Sequence, residues 1–249
     1  MTTIAMITLN EEGAVGKVIE DLKAVAPEAE ILIVDSSSDA TPQIATDKGA
    51  RVIRQYPPRG YGRAMECALR SGAGEVVVTL DCDDTYPVEV IPELVRLVTE
   101  EGYDIVNTTR TKRRPAAMPL ANFLANRTFA LVARVLLRVK TTDLHSGMRA
   151  YSKAMLDKLE FDGSGPALPV ELWLKPVALG YRSTEIPITY RERVGTTTLN
   201  RWQSTVWTFK RIWRCYRLRS RKPEVRSPEN DGHQYQRERM DRGNRRSGG

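Results

Sequence analysis

Short apolar segments alternate with longer amphipathic ones over roughly the first 110 residues of the chain. The short segments are rich in β-branched residues, as buried strands are, and they cover residues 3–9, 31–34, 50–53, 76–80 and 104–108. The longer ones keep apolar residues on one helical face, and they cover residues 15–22, 41–48, 87–101 and a glycine-bearing stretch at 59–72. This alternation predicts an α/β fold whose mostly parallel sheet is covered by helices on both faces.

The second half of the chain is less regular. A helical stretch covers residues 120–139, a polar turn covers 141–149, and a helix around 170–178 and a strand at 184–190 complete the body. No apolar run is long enough to cross a bilayer, since the best candidate, residues 129–139, is short and contains Arg134 and Arg138. We therefore predict one folded body at residues 1–198 without a membrane span.

A predicted helix at residues 199–217 follows the body. Its apolar residues recur at spacings of three and four and share one face; they are Leu199, Trp202, Val206, Phe209, Trp213 and Tyr216, with Lys210, Arg211, Arg214 and Arg217 beside them. Two interpretations stay open: the helix packs on the body, or it lies in a membrane interface with tryptophan at headgroup level. Residues 218–249 are rich in Arg, Gly, Ser and Pro, which predicts a disordered basic tail.

The net charge of +7 is concentrated at the C-terminal end of the 249-residue chain. Residues 201–249 hold 14 Lys and Arg against 5 Asp and Glu, whereas residues 1–200 hold 24 against 26. A basic extension on a near-neutral body suggests a polyanionic partner, either lipid headgroups or nucleic acid. Three scattered cysteines and the lack of a signal-peptide pattern fit a reducing cytoplasm.

Acidic and hydroxyl residues follow two of the predicted strands. Asp81 and Asp83 come directly after the central strand, and two carboxylates at a strand end can hold Mg2+ or Mn2+ together with phosphate oxygens of a substrate. Asp35, Ser37 and Asp39 follow the second strand and suit hydrogen bonding to a base or ribose, although each of them also suits a turn. The chain has no glycine-rich phosphate motif, so a metal is the expected partner of a diphosphate.

Several loose motifs occur together in one order along residues 3–215. They are Thr8-Leu9-Asn10-Glu11, Val34-Asp35-Ser36-Ser37-Ser38-Asp39-Ala40-Thr41, Gly60-Tyr61-Gly62-Arg63-Ala64, Asp81-Cys82-Asp83, Ser146-Gly147-Met148-Arg149 and Pro187-Ile188-Thr189-Tyr190-Arg191-Glu192-Arg193-Val194-Gly195. In this order and spacing the chain resembles family 2 glycosyltransferases, most of all the branch of dolichol-phosphate mannose synthase and the polyprenyl-phosphate glycosyltransferases.

The resemblance implies a GT-A fold and an inverting, metal-dependent hexose transfer from a nucleotide sugar. The matching nucleotide-binding positions are Thr8, Asn10, Glu11, Asp35, Ser37, Asp39, Arg63, Asp81 and Arg193. The matching metal positions are Asp81 and Asp83, the acceptor positions are Arg110, Arg127 and Arg149, and the catalytic candidates are Asp83, Asp143 and Glu171. Where the family's late motif has a lysine this chain has Thr198, so Arg193 or Arg201 is expected to supply the charge.

The acceptor decides which residues the reaction needs. A polyprenyl monophosphate is already ionised and needs positioning cations, which Arg110, Lys112, Arg113, Arg114 and Arg127 supply. A hydroxyl acceptor needs a general base, for which Asp143 and Glu171 are candidates. Each of these also has a structural interpretation, Asp143 as a turn or cap residue and Glu171 as an arginine partner. For His145 we expect a solvent-facing or turn-bonded side chain rather than acid or base chemistry.

The leading hypothesis is a metal-dependent transferase that moves a hexose from a GDP-mannose or UDP-glucose type of donor onto a polyprenyl phosphate. It would use Mg2+ or Mn2+ and work in the cytoplasm, peripherally on the cytoplasmic face of the membrane. One alternative is a soluble family 2 enzyme with a small hydroxyl acceptor. Another is a nucleic-acid-binding protein that acts through its arginine-rich tail, which the lack of a recognition motif disfavours. The sequence does not indicate an oligomeric state.

Overall fold

The computed structural model describes residues 1–111, 114–116, 118–191 and 201–220, without the side chains of Arg201 and Ser220. Within this part of the chain the strands are β1 Thr2–Thr8, β2 Glu30–Asp35, β3 Arg51–Arg54, β4 Val76–Thr79, β5 Ile105–Thr109, β6 Arg149–Ser152 and β7 Ser183–Pro187. The helices are α1 Val15–Val25, α2 Thr41–Asp47, α3 Tyr61–Ser71, α4 Ile91–Thr99, α5 Leu120–Leu137, α6 Lys153–Lys158, α7 Leu168–Leu179 and α8 Arg201–Ser220, with a 3-10 turn at Val88–Val90.

The strands form one sheet in the order β3-β2-β1-β4-β6-β5-β7. The pairs β3-β2, β2-β1, β1-β4 and β5-β7 are parallel, and β6 is antiparallel to both of its neighbours, β4 and β5. The predicted mostly parallel sheet is therefore confirmed. The antiparallel β6 lies where the sequence suggested a turn running to residue 149, because four residues with polar ends carry little strand pattern.

Each central strand is buried on both faces because its alternate side chains enter two different cores. Ile4 and Met6 of β1 pack with α1 and α4 in one cluster, whereas Ala5 between them packs with α3, α5, α7 and α8 in the other. In the same way, Val76 and Val78 of β4 belong to the first cluster and Val77 belongs to the second. Helices on both faces follow from this alternation, as predicted.

The last helix, α8, packs on the body with a face that the sequence did not single out. Thr208, Arg211, Ile212 and Cys215 are buried and recur at helical spacing toward the body, where the Arg211 guanidinium pairs with Glu171 of α7. The predicted apolar stripe points outward instead: Trp202 is 79% and Trp213 is 56% exposed. Residues 192–200 and 221–249 lie outside the described part, and with them most of the predicted tail.

Helix α5 is longer than the apolar candidate at 129–139. Leu120–Leu137 is the single described helix whose length and composition would let it cross a membrane, and 28% of that window is buried in the protein. By these criteria the expectation that no stretch is long enough was wrong, because the qualifying window takes in the predicted helix from Leu120 onward and not only residues 129–139. Length and composition do not separate a spanning helix from one that packs on a domain, and α5 contacts α7 and α8.

Candidate active site

Polar side chains gather where β2, β1 and β4 end. These strands are adjacent and parallel, with Thr8 opposite Asp35 and Ala5 opposite Thr79. Their carboxyl ends therefore share one edge of the sheet, which is where ligands bind in open α/β sheets. Asp81 follows β4 by two residues, so the register brings the predicted nucleotide and metal residues to the same edge.

Asp35 is the buried anchor of the predicted nucleoside corner. Its carboxylate accepts hydrogen bonds from the Thr8 hydroxyl at 2.7 Å and the Ser37 hydroxyl at 2.6 Å, and it pairs with the Arg54 guanidinium. The side chain is fully buried. Both carboxylate oxygens of Asp35 already have protein partners, and its predicted contact with a nucleoside stays a prediction.

Two loops at this corner brace each other through main-chain donors. The backbone N–H of Asn10, which has a φ of 59°, donates to the Ser37 hydroxyl at 2.8 Å, and that of Glu11 donates to the Thr41 hydroxyl at 2.9 Å. Burial alone would raise the pKa of Asp39, but hydrogen bonds from Thr41 outweigh it and the pKa lies below its ordinary value. The loops after β1 and β2 thus form one rigid, acidic wall.

The two aspartates after β4 lie in a concentration of negative charge. Asp83 is buried, and its Oδ1 accepts from the Thr85 hydroxyl at 2.6 Å and backbone at 3.2 Å. Burial raises the pKa of the Cys82 thiol well above its ordinary value, and Glu11, Asp83 and Asp81 raise it further. Three carboxylates therefore act on one thiol, and Glu11 of the nucleotide wall lies near the Asp-x-Asp pair.

Gly147 makes room for the Asp81 carboxylate. A Cβ on Gly147 would lie 2.6 Å from Oδ2 of Asp81, and the glycine cannot retreat, because its N–H donates to the Tyr86 hydroxyl at 2.7 Å and its carbonyl accepts from Thr79 at 2.9 Å. Oxygen ligands of this kind suit Mg2+ or Mn2+. Among the described residues no group of three or more His, Cys, Asp or Glu side chains is arranged to hold a metal ion, and the metal role of Asp81 and Asp83 stays a prediction.

We expect Gly147→Ala to weaken metal binding, because the new methyl group displaces the Asp81 carboxylate. Changes beside a metal ligand typically cost about 10–100-fold in affinity. The measurement is Mn2+ binding in the presence of a nucleoside diphosphate, followed by the electron paramagnetic resonance of free Mn2+. Gly16→Ala is the matched control, since its Cβ would meet Cε of the flexible Lys48 side chain at 2.9 Å, outside the site. Equal affinities of both variants would contradict the assignment of Asp81.

Arg110 and Asp143 form a buried pair beside the carboxylates. The guanidinium donates from Nε to Oδ2 of Asp143 at 2.8 Å and from Nη2 to Oδ1 at 3.1 Å, and Asn126 donates to Oδ1 at 2.6 Å. Burial would raise the pKa of Asp143, but Arg110 and Asn126 hold it well below the ordinary range. An ionised carboxylate bound on both oxygens is a poor proton acceptor, so the geometry favours the turn-anchoring role over the general base.

The buried Tyr86 hydroxyl connects the acidic and the basic side of the site. Burial raises the pKa of Tyr86, the Arg110 charge lowers it, and Asp81 and Tyr190 raise it. One phenol therefore lies within range of both Asp81 and Arg110. The Tyr190 ring contacts the Tyr86 ring at 5.6 Å and lies 5.2 Å from the Arg110 guanidinium, so the aromatic pair packs against the arginine.

The other predicted acceptor and base residues are placed differently. Arg149 is buried and donates to Asn107 at 2.6 Å and to the Leu144 carbonyl at 3.0 Å, so protein groups already occupy its guanidinium and its predicted contact with an acceptor phosphate stays a prediction. Glu171 is buried in an ion pair with Arg211, which is the structural alternative to a base.

The remaining predicted arginines lie at the periphery or outside the described residues. Arg63 is exposed and pairs with Glu66 at 2.9 Å, and Arg127 is exposed on α5. Arg193 lies outside the described residues, as do Lys112 and Arg113. Their predicted contacts with nucleotide or acceptor stay predictions.

Sequence reasoning missed Arg54, Tyr86, Asn126, His145 and Glu185 as members of this site. His145 is neither solvent-facing nor bonded only within its turn, because its ring contacts Asn126 of α5 and Thr208 of α8. A signal existed for Arg54, which ends β3 directly opposite Asp35 in the parallel register. For the others no periodicity points to them, since their roles come from contacts between distant segments.

Comparisons with known proteins agree with this geometry. The family described as Glycosyl transferase family 2 matches residues 3–160. A Haloferax volcanii protein named dolichyl-phosphate hexose transferase is 42% identical over 198 residues, which are 79% of this chain and 86% of that protein. The undecaprenyl-phosphate mannosyltransferase of Micrococcus luteus is 26% identical over 198 residues, 75% of this chain and 82% of that protein.

Solved structures share the fold. Glucosyl-3-phosphoglycerate synthase from Mycobacterium tuberculosis, in complex with Mn2+, uridine diphosphate and phosphoglyceric acid, gives a TM-score of 0.70 at 20% identity over 90% of this chain and 80% of that one. Mannosyl-3-phosphoglycerate synthase from Rubrobacter xylanophilus gives 0.70 at 18% identity over 92% and 77%. Such likeness concerns the fold alone, and it confirms the predicted GT-A fold.

Proposed function

Because the chain belongs to glycosyl transferase family 2, we propose that it moves a hexose from a nucleotide sugar to a polyprenyl phosphate. The chain is a glycosyltransferase with a GT-A fold. The relatives named for dolichyl-phosphate and undecaprenyl-phosphate transfer support this acceptor class. The observation that carries the proposal is the position of Tyr86 between acidic and basic groups. Its hydroxyl accepts from Gly147, which packs against the Asp81 carboxylate, and its ring packs on Tyr190 beside the Arg110 guanidinium.

On the donor side, Asp81 and Asp83 would hold a divalent ion, Mg2+ or Mn2+. That ion would neutralise charge on the diphosphate of the donor and on the departing nucleoside diphosphate. Two M. tuberculosis structures with this fold contain uridine diphosphate with Mn2+ or Mg2+, which supports the choice of metals. The wall built around Asp35 and Asp39 would receive the nucleoside.

On the acceptor side, Arg110 would position a lipid phosphate. A phosphate monoester is largely ionised at neutral pH, so its oxygen can attack the anomeric carbon without a general base. The new bond joins that carbon to the acceptor oxygen, the bond to the donor diphosphate breaks, and the configuration inverts. Asp143 and Glu171, the two candidates for a general base, both form ion pairs with arginines. This supports an acceptor that needs no general base.

An outward apolar surface on α5 and α8 suits the bilayer in which such a lipid resides. Its large exposed side chains are Leu120, Leu124, Leu131, Val135, Trp202, Val206, Phe209 and Trp213. Neither helix contains an Asp or Glu, whereas the two together contain seven arginines and one lysine. A surface of this composition fits the headgroup region of an anionic membrane.

Since all three cysteines are free, we place the enzyme on the cytoplasmic face.

We expect the double substitution Leu131→Glu with Val135→Glu to weaken binding to vesicles of anionic phospholipid by about tenfold or more, because both side chains would have to bring charge into the interface. The side chains are 57% and 70% exposed, so the free energy of unfolding should hardly change. Co-sedimentation at several salt concentrations measures the binding. Ala24→Glu, on the exposed side of α1 across the sheet, is the control, and equal loss in both variants would contradict the surface.

A transfer assay tests the proposed function itself. Radiolabelled GDP-mannose, UDP-glucose and related donors are incubated with a short polyprenyl phosphate in detergent, with and without Mg2+ or Mn2+. Label that enters the organic phase only with metal supports the proposal and identifies the donor. If nucleoside diphosphate is released while the label stays in the aqueous phase, the acceptor assignment is wrong and a small hydroxyl acceptor takes its place.

A further inference from the structure

A chain of hydrogen bonds runs from the C-terminal helix to the acceptor arginine. Thr208 of α8 contacts Nε2 of His145 at 2.9 Å, and Nδ1 of His145 contacts Oδ1 of Asn126 at 3.2 Å. Asn126 donates from its amide nitrogen to Asp143 at 2.6 Å, and Asp143 holds Arg110 on both oxygens. Five side chains from four segments are thus linked in one direction toward the site.

The roles of the donors in this chain can be assigned from its far end. Because the amide nitrogen of Asn126 faces the Asp143 carboxylate, its oxygen faces His145, and an oxygen can only accept. Nδ1 of His145 therefore carries the proton. Burial lowers the pKa of His145 to about 4, so the ring is neutral and Nε2 is an acceptor. The single hydroxyl proton of Thr208 has two acceptors within reach, Nε2 of His145 at 2.9 Å and the Ser204 carbonyl at 2.8 Å, and we assign it to Nε2.

The segment that carries His145 holds both sides of the site. Two residues before it lies Asp143 with Arg110, and two residues after it lies Gly147 against the Asp81 carboxylate. The ring of Phe129 packs 5.6 Å from the His145 ring and 5.2 Å from the Phe209 ring of α8. The hydrogen bonds of His145 lead through Asn126 to Asp143 and Arg110, whereas Gly147 is held separately by Tyr86 and Thr79. A change in the position of His145 is therefore transmitted mainly to Arg110.

We propose that His145 and Thr208 are positioning residues which fix Arg110 for the acceptor phosphate by tying segment 143–147 to α8. This inference rests on the proposed function for its effect on turnover, but not for the hydrogen bonds themselves. The outer face of α8 belongs to the apolar surface, and its inner face carries Thr208. The buried Thr208 hydroxyl thereby couples the binding of α8 to a lipid surface with the orientation of Arg110.

Thr208→Val tests the proposal, because valine keeps the shape of threonine and removes the hydroxyl. Loss of one buried hydrogen bond corresponds to a change on the order of tenfold, which we expect in the KM for polyprenyl phosphate, while the affinity for the nucleoside diphosphate stays unchanged. Thr208→Ser should restore the wild-type KM. Thr99→Val is the control, since it removes a hydroxyl that lies 3.1 Å from a carbonyl one turn back on the exposed side of α4 and contacts no residue of the site.

A double-mutant cycle with Arg110→Lys separates positioning from general loosening of α8. Lysine cannot bridge both Asp143 oxygens, so Thr208→Val should change KM little in that background if it acts through Arg110. If the two effects multiply independently, Thr208 supports the fold only and the proposal is overturned.

A measurement that does not depend on the acceptor keeps this inference separate from the proposed function. The chain has two histidines, so the nitrogen-15 resonances of His145 can be assigned by replacing His233. We expect the neutral tautomer with its proton on Nδ1 at pH 7, and a shift of the Nε2 resonance in Thr208→Val. A proton on Nε2 would overturn the proposed chain even if transfer to polyprenyl phosphate is found, and the expected tautomer would support it even if transfer is not.

Discussion

Asp83→Asn should abolish hexose transfer while leaving the protein folded. The substitution keeps an oxygen that can accept from Thr85, whose hydroxyl lies 2.6 Å from Oδ1, but it removes one of the two charges proposed to hold the metal. A metal ion supplies several kcal/mol of transition-state stabilisation, which corresponds to roughly a thousandfold or more in rate. Initial rates over a range of Mn2+ concentrations measure the loss, and any residual activity should require far more metal.

The matched control for Asp83 is Asp157→Asn on α6. The Asp157 side chain is 57% exposed and pairs with Lys153 at 3.0 Å. The Asp157→Asn variant therefore loses the same charge as Asp83→Asn, but outside the site. Its transfer rate and its metal requirement should equal those of the wild type. If Asp83→Asn keeps its activity at low Mn2+ concentration, the Asp-x-Asp pair is not the metal site and the donor side of the proposal fails.

The donor side of the site was largely predictable from the sequence. Asp35, Asp81 and Asp83 follow short β-branched runs that predict buried strands, and parallel neighbours end at a common edge. The strand pairing of Thr8 with Asp35 then brings the two loops together. Local pattern and sheet geometry point the same way here, so residue positions follow without knowledge of long-range contacts.

The acceptor side was less predictable because its geometry depends on contacts between remote segments. Glu185 of β7 accepts hydrogen bonds from Thr141 at 2.7 Å and from the Thr142 hydroxyl at 2.7 Å, and so fixes the turn that carries Asp143. No periodicity shows that a glutamate in an edge strand will meet a turn more than 40 residues earlier. The same holds for Glu171, whose partner Arg211 lies on the last helix.

Helix α8 shows a further limit of reasoning from pattern. The stripe that contains Trp202 and Trp213 is the most apolar face of this helix, and by the usual rule it would face the core. The face that packs on the body instead contains Arg211, because the Arg211 guanidinium forms an ion pair with the buried Glu171 carboxylate. A buried ion pair therefore decides the orientation of the helix and leaves its tryptophans outside.

Arg110→Met should destabilise the fold strongly at neutral pH, because it leaves the buried Asp143 carboxylate without its cation. Breaking a buried pair from one side typically costs about 3–5 kcal/mol in the free energy of unfolding. Adding Asp143→Asn to the same chain removes the stranded charge and should recover most of the loss. Urea unfolding at pH 7 compares the three proteins. Arg96→Met is the control, since Arg96 holds Glu93 and Glu101 on the exposed side of α4 and should matter little.

The pH dependence of that loss has a defined sign. With Arg110 present the pKa of Asp143 lies below its ordinary value, so the stability gained from the pair is fully present above about pH 4, the unfolded pKa of an aspartate, and is lost as the pH falls further. In the absence of Arg110, burial raises the pKa of Asp143, so this carboxyl group protonates more readily. The variant therefore loses most free energy of unfolding at neutral pH, where the buried carboxylate is still charged. The gap between wild type and Arg110→Met should therefore narrow from pH 7 to pH 5. A gap that stays constant, or no recovery with Asp143→Asn, would mean that Arg110 stabilises the protein by packing and not by its charge.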